Sequence, residues 1–368
     1  MLEVKVITTT IEMEDLRPCW EDLMKRASNA SIFQTWEWIS SCWQHFGKQG
    51  QLVLVCVWED GRLVGLAPFE ISSLYRLPVR RLKFIGYGVS DYLDIIVDDE
   101  SQDRVLNGIY DWIAANQRRW DLIDLQFIPE GSPTLRSELI SNVGRHNSLA
   151  EQDVSHYTIL PPLWEDMLAD LGKKTRQNLN YYERKLHRDF DNVSLCEYEG
   201  ADFDEWVEAL FRLHSACWQI RGCPGIVADS RMEAFYRDAL QLFRKRGWIR
   251  LQGVRLNGQL QAVDCSFAYK GKVYYYMGGF EPQFSKYSLG TLLTSFVVRR
   301  AIEEGFHEFD FLRGNESYKD HWTAKRRLSY RLAAGKFSLR SLSGIVVTRI
   351  ERKAGFRTKC LIKKCLRW

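Results

Sequence analysis

The feature that most restricts the fold is a repetition. Residues 57–69, "VWEDGRLVGLAPF", share a pattern with residues 254–266, "VRLNGQLQAVDCS". Gly61 and Gly258 coincide as turn glycines, Leu63 coincides with Leu260, and Gly65 with Ala262. A turn glycine alone says little, since any hairpin has one. The order of elements says more. Downstream, each half carries a strand, a helix, and a strand in which Asp precedes an apolar residue: "LIDLQFI" at 122–128 and "EFDFLRG" at 308–314. Four elements in the same order, twice, predict a duplicated fold. The expected class is α/β (α+β), each unit a mixed twisted sheet flanked by helices.

Hydrophobic periodicity fills in the elements. Leu2 to Ile7 alternates like a strand, and Trp20 to Arg26 and Thr35 to Phe46 look helical. Asp60-Gly61 turns the first hairpin. "LDIIVDD" is a further strand, Arg104 to Arg119 a helix, and "DLIDLQFI" a buried strand. The second half starts near Ser155, with helical pattern at Leu163 to Phe190, Phe203 to Arg221 and Arg231 to Arg246. Three strands follow, turned at Asn257-Gly258 and Lys270-Gly271. The expected division is 1–150, 151–339 and a tail, 340–368, with the first unit helping to form an acceptor cleft for the second.

At 368 residues and 45% hydrophobic, the chain can build two cores. "MLEVKVITTT" mixes Glu3 and Lys5 into its apolar residues, unlike a secretory signal. No apolar run approaches the roughly 20 residues of a membrane helix. Nine cysteines without a CxxC pair are expected as buried thiols in a reducing cytoplasm, and with the seven histidines they show no metal-ligand spacing. Charge is uneven. From Arg340 to Trp368 nine Lys or Arg face one acid, Glu351, so the body is mildly acidic although the whole chain carries +4. A general nucleic-acid role needs basic residues over a binding face, which the body lacks. Ile345, Val346, Ile350, Phe356, Leu361, Ile362, Leu366 and Trp368 interleave the tail's charges. That is the composition of a basic amphipathic segment for an anionic membrane surface, or of a solvated tail. Gly344 and Gly355 are expected to split it into two short helices.

Residues 287–314, "YSLGTLLTSFVVRRAIEEGFHEFDFLRG", run from a glycine loop through a helix to a strand. Leu292, Leu293, Phe296, Val297, Ala301 and Ile302 give the helix a wide buried face, and Gly305 ends it. Ser288 and Gly290 at its start read as an N-cap and a turn, or as bare N–H groups suited to a phosphate. In "AVDCSF", Asp264 sits among apolar and small residues. A carboxylate there is either a structural acceptor or a tuned site, because burying it without a partner costs free energy.

Several stretches together resemble GNAT-related acyltransferases of the CelD-like exopolysaccharide-biosynthesis family and, more distantly, FemAB-type peptidyltransferases. They are "FQTWEW" from 33, "FIGYGVSDYLD" from 84, "KKTRQNLNYYERKL" from 173, "GGFEPQFSKYSLGTLL" from 278 and "FDFLRGNESYKDHW" from 309. The loop departs from the Gln/Arg-x-x-Gly-x-Gly/Ala pattern, keeping one glycine. The resemblance implies acyl transfer from acyl-CoA to an amine or hydroxyl, on a saccharide or cell-envelope glycan precursor, without a metal, in the cytoplasm or at the inner face of the membrane. It implies a donor site at Met277, Gly278 and Gly279 and at Tyr287, Ser288, Leu289, Gly290 and Thr291. Its two glycine-rich strand-end residues would let a substrate approach the backbone, or form a bulge. Asp264 is the candidate base, with Lys319 and Tyr318 at the substrate and Glu316 beside them in the loop. Arg313 suits a phosphate or carboxylate. Trp36, Trp38, Asp91, Tyr92, Asp94, Arg176 and Asn178 are candidate acceptor contacts. Trp36 and Trp38 lie two apart on a helix and cannot share a face. The alternatives are an aminoacyl-tRNA-dependent transferase of the Fem type and a non-catalytic scaffold in polysaccharide assembly.

Overall fold

Three tight turns organise the sheets. Asp60 and Gly61, Asn257 and Gly258, and Lys270 and Gly271 all take positive φ, between 48° and 83°. Two consecutive residues of that kind make the two-residue hairpin turn whose twist matches its strands. The computed structural model describes residues 2–74, 77–135, 146–314, 316–322, 325–335 and 338–353. In chain order its elements are β1 (Leu2–Ile7), α1 (Thr10–Asp15), α2 (Arg17–Arg26), α3 (Trp36–Phe46), β2 (Gln51–Glu59), β3 (Arg62–Ser73), β4 (Arg80–Phe84), β5 (Ile96–Val97), α4 (Gln102–Ala115), β6 (Leu122–Pro129) and β7 (His146–Ile159). They continue with α5 (Trp164–Asp170), α6 (Lys173–Asp189), β8 (Val193–Glu197), α7 (Phe203–Ile220), α8 (Ser230–Lys245), β9 (Ile249–Leu256), β10 (Gln259–Tyr269), β11 (Lys272–Phe280), α9 (Leu289–Glu303), β12 (Glu308–Arg313), β13 (Lys325–Gly335) and α10 (Leu339–Lys353).

The chain divides into two units. Met1–Asp153 with Leu328–Trp368 forms one, and Val154–Arg327 the other. In the first, strands run in the order β1-β2-β3-β4-β6-β13, with β5 on β3. In the second the order is β7-β12-β11-β10-β9-β8. Among the described residues each unit shows a parallel pair, β4 with β6 and β11 with β12, among antiparallel neighbours. Residues 328–339, read from sequence with the second half, go with the first unit: β13 pairs with β6 from Ser329↔Pro129 to Gly335↔Leu122. Strand pairing between residues so distant leaves no local trace.

The first core gathers Val53, Val55, Phe69, Phe84, Ile109, Leu125 and their neighbours, and the second Val254, Val273, Leu293, Val297, Phe309 and theirs. The largely helical stretch from Leu163 to Phe190 comprises two helices, α5 and α6, separated around Gly172. Gly344 does not split α10. A Cβ there would meet Val79 and Leu122 at 3.2 and 3.3 Å, so the glycine allows close packing inside a continuous helix. Gly355, Phe356, Leu361, Ile362, Leu366 and Trp368 lie outside the described residues.

Candidate functional site

In the second unit β11 and β12 run together only briefly. They pair at Lys272↔Glu308, Val273↔Phe309 and Tyr274↔Asp310, then separate. β12 bulges against β7 beyond that point, between Asp310↔Tyr157 and Arg313↔Ser155, and Leu312 takes φ 58°. Parting strands leave backbone and side chains of both edges available to a ligand.

Asp264 stands beside this separation. It lies on β10 opposite Gly278 of β11 and Gln252 of β9. Directly paired residues project from the same sheet face, here the face carrying Tyr275 and α9. Ser266 Oγ donates to Asp264 Oδ2 at 2.6 Å. Oδ1 has no hydrogen-bond partner among the described residues. The carboxyl is fully buried, and burial pushes its pKa up to about 8 against the pull of Ser266 and Arg250.

Three hydroxyls accompany it. Thr294 Oγ1 donates to Gly290 O at 2.8 Å, so the Tyr275 hydroxyl is the donor in its 3.2 Å bond to Thr294. Burial raises the Tyr275 phenol first, and Asp264 and Tyr318 raise it further. Tyr318 is likewise raised by burial, then by Glu316 and Asp264. Its ring meets Phe311 edge-on at 6.5 Å, and Phe311 lies 6.0 Å from Tyr275. Asp264, Tyr275 and Tyr318 are thus one electrostatic cluster of three weak acids.

Lys319, expected to face a cleft with Asp264, is turned to its own loop. It is 3% exposed, and Nζ donates to the carbonyls of Leu312, Arg313 and Gly314 and pairs with Glu316 at 2.9 Å. An ammonium has three protons, and these partners use them. Lys319 therefore fixes the end of β12, while its neighbour Tyr318 is the one that feels the charge of Asp264. Arg313, half-buried, contributes its carbonyl to that anchor. Sequence reasoning missed His156, a buried residue of β7. Burial and Lys319 lower its pKa, and Asp320 Oδ1 lies 3.5 Å from Nε2. It also missed Tyr275, because in "VYYYMGG" three tyrosines in a row hide which one faces α9.

The segment expected to hold the donor is mixed in character. Ser288 occupies the N-cap position of α9 in the left-handed region, φ 50°, with no side-chain cap bond. Its carbonyl accepts from Thr291 and Leu292. The N–H groups of Leu289 and Gly290 precede the first intrahelical bond. Gly290 needs no positive φ, and a Cβ there would touch only the Phe280 ring, at 3.5 Å. Tyr287 and Leu289 are buried in the core, with Tyr287 OH donating to Asp189 at 3.1 Å. Thr291 is half-buried. Gly278 faces the site, its Cβ position 3.6 Å from the Tyr275 hydroxyl. Gly279 faces the other way with buried Met277, and the α7 backbone at Leu213–His214 occupies the space a Cβ would need. The close approach read at Gly279 is made by a helix.

The remaining candidates serve their own units. Trp36 Nε1 donates to Met13 O at 3.1 Å and Trp38 Nε1 to Ser90 Oγ at 2.8 Å, and both rings are buried. Asp91 and Tyr92 are buried too. Asp94 accepts from Asn29, Thr134 and the Ile95 N–H; burial raises it to about 6 against those donors. Arg176 caps the C-terminal end of α5 through the carbonyls of Leu168, Ala169 and Leu171. Asn178 is half-buried on α6. Among the described residues, no group of three or more His, Cys, Asp or Glu gathers as metal ligands would, and no helix is long and apolar enough to cross a membrane.

Residues 173–320 match the family described as Acetyltransferase (GNAT) domain. This stretch holds Asp264, the parting strands and the start of α9. Solved structures extend the likeness across the chain. FemX superposes with a TM-score of 0.64 at 11% identity, over 89% of this chain and 96% of that one. L-PGS from Bacillus licheniformis gives 0.57 at 13% identity, over 94% and 98%. A tandem GNAT protein from the clavulanic acid biosynthesis pathway gives 0.50 at 14% identity, over 90% and 98%. No curated protein matches the chain. The fold is a tandem GNAT-like one, and the family match lies within its second unit.

Proposed function

We propose that the second unit transfers an acyl group from acyl-CoA to an amine or hydroxyl on a saccharide or cell-envelope glycan precursor, in the manner of the CelD-like family. The observation that carries this reading is Asp264, a buried carboxyl with one oxygen unpartnered, beside strands that part. The acceptor's nitrogen or oxygen attacks the thioester carbonyl carbon. The C–S bond breaks, the thiolate leaves, and the acceptor loses a proton. Asp264 takes that proton. A carboxylate whose conjugate acid titrates near 8 is a better base than a free one, and its base form grows as pH rises. Gly278 leaves room beside Tyr275, whose hydroxyl can turn to the developing oxyanion. The N–H groups of Leu289 and Gly290 suit the donor's pyrophosphate. Acetyl-CoA at a hundred times its dissociation constant should stabilise the protein by about 2.7 kcal/mol. No shift in melting temperature at any acyl-CoA concentration removes the reading.

A second reading, transfer from aminoacyl-tRNA, draws on the exposed basic face of α6, with Lys173, Lys174, Arg184 and Arg188 and the exposed Tyr181. Protection by aminoacyl-tRNA but not by acetyl-CoA would select it. For location we assign α10 to an anionic membrane surface. Leu339, Leu342, Val346 and Ile350 form an exposed stripe at helical spacing, and basic residues follow.

A further inference from the structure

We propose that Gln252 is the positioning residue of Asp264: the two share one proton, carried on Asp264 Oδ1 and donated to the Gln252 amide oxygen. Two orphaned atoms carry the inference. Asp264 Oδ1 and Gln252 Oε1 are both acceptors, both buried, and neither has a partner among the described residues. Their residues are directly paired on β10 and β9. Such pairs project from one face with Cβ atoms about 4.5–5.5 Å apart. Two lone pairs cannot satisfy each other, whereas a proton between them satisfies both.

The amide is not free to turn over. Gln252 Nε2 donates to Glu197 Oε2 at 3.2 Å, and Glu197 in turn accepts from Arg300 Nη2 at 2.7 Å. A carboxylate only accepts, so the NH₂ must face Glu197 and the carbonyl must turn from it. On the other oxygen of Asp264, Ser266 already donates. That leaves Oδ1 for the proton.

Among the other groups around Asp264, the Arg250 guanidinium lowers its pKa without a hydrogen bond to it, and Arg250 Nε is itself buried without a partner among the described residues. Arg250 of β9 pairs with Glu304. Tyr275 of β11 donates to Thr294 of α9. Tyr318 and the Cys265 thiol have pKa values raised by burial and by Asp264, and stay neutral. A buried carboxylate with no cation bonded to it is costly, and a buried carboxylic acid bonded at both ends is not.

Infrared difference spectra of the full chain, between about pH 6 and about pH 10, test this. A carboxylic-acid carbonyl band is expected at neutral pH, lost in Asp264→Asn and moved to higher frequency in Gln252→Leu. Gln252→Met, unbranched and of similar length, serves if the leucine variant does not fold. In Asp264→Asn the new amide replaces the O–H donor, so neutral-pH stability should equal or exceed the native value. An ionised Asp264 bridged by water gives no such band and overturns the proposal. So does a band unmoved in a folded Gln252 variant. The spectra need no acyl-CoA, so they stand apart from the acyl-transfer reading. The consequence for turnover rests on that reading: Gln252→Leu should move the pH profile of kcat/KM down by about one unit, the worth of one hydrogen bond.

Discussion

Asp124 and Asp310 occupy matching places, each on the second strand of its unit's parallel pair. Both are buried and both meet arginine. Burial alone would raise Asp124, but Arg331 and Arg81 outweigh it and hold the carboxyl below its ordinary range. Arg327 Nη1 lies 3.0 Å from Asp310. Asp264 has no such match. The hairpin correspondence sets Ala67 of the first unit against it. One duplicated frame thus carries an arginine-paired acid in each unit, and in the second also Asp264, with no cation hydrogen-bonded to it. A buried charge that is neutralised by design holds strands together. One with no cation bonded to it keeps a raised pKa, the property the proposed base needs.

This contrast can be broken experimentally. Asp264→Asn should lower acyl-transfer kcat by about 10²–10⁴-fold with the fold retained; assays with labelled acetyl-CoA and a panel of amino and hydroxyl acceptors would show it, and undiminished turnover would make Asp264 a brace like the others. Arg331→Met should do the reverse. Breaking the buried pair with Asp124 is expected to cost about 3–5 kcal/mol in urea unfolding, while donor affinity in any folded fraction stays unchanged.

The two acids should also differ in pH response. Asp264 titrates near 8 folded and near 3.9 unfolded, so the folded state binds the extra proton between those values. Its contribution is fully present below about pH 4 and is lost as pH rises through 8. Native stability should therefore fall relative to Asp264→Asn across that window and run parallel above it. Asp124, held low, contributes in the opposite sense: stability present above its unfolded pKa is lost in acid. Parallel curves for native protein and Asp264→Asn from pH 4 to 8 would refute the raised titration.

Smaller effects sharpen the donor side. Gly290→Val has room beside Phe280 and a φ any residue adopts, so it should change stability by less than about 1 kcal/mol. It should weaken acetyl-CoA binding about tenfold, or about 1.4 kcal/mol, by crowding the N–H groups of the first turn. Unchanged calorimetric affinity would move the donor elsewhere. Smallest is the effect on α10: Val346→Ser with Ile350→Ser should reduce cosedimentation with anionic liposomes a few-fold, each basic residue retained near the surface being worth about 1 kcal/mol. Equal sedimentation would leave the stripe without a membrane role.

Much of the frame was legible in the residues. Asp60-Gly61, Asn257-Gly258 and Lys270-Gly271 mark turns because few residues tolerate positive φ, and the helix of "LGTLLTSFVVRR" follows from its spacing. Asp264 was legible as an acid in an apolar strand. Lys319 was not. Its role depends on three carbonyls at the end of β12, aimed by the bulge at Leu312, and no spacing announces them. Gly279 looked like Gly278, yet one faces the site and the other a helix backbone. The alternation of β11 against β10 slips between Cys265 and Ser266, and this bulge decides which tyrosine joins Asp264.

The sequence by itself determined the duplication, the hairpins, the helix faces and the presence of a carboxyl that burial would trouble. These are local matters, since a backbone angle or an apolar period is written within a few neighbouring residues. Only the tertiary structure decided that β13 pairs with β6, that Lys319 is a strand anchor, and that Asp264 keeps one oxygen unpartnered opposite Gln252. Whether a buried polar atom is satisfied depends on every donor the fold brings near it, and those donors come from strands far apart in the chain.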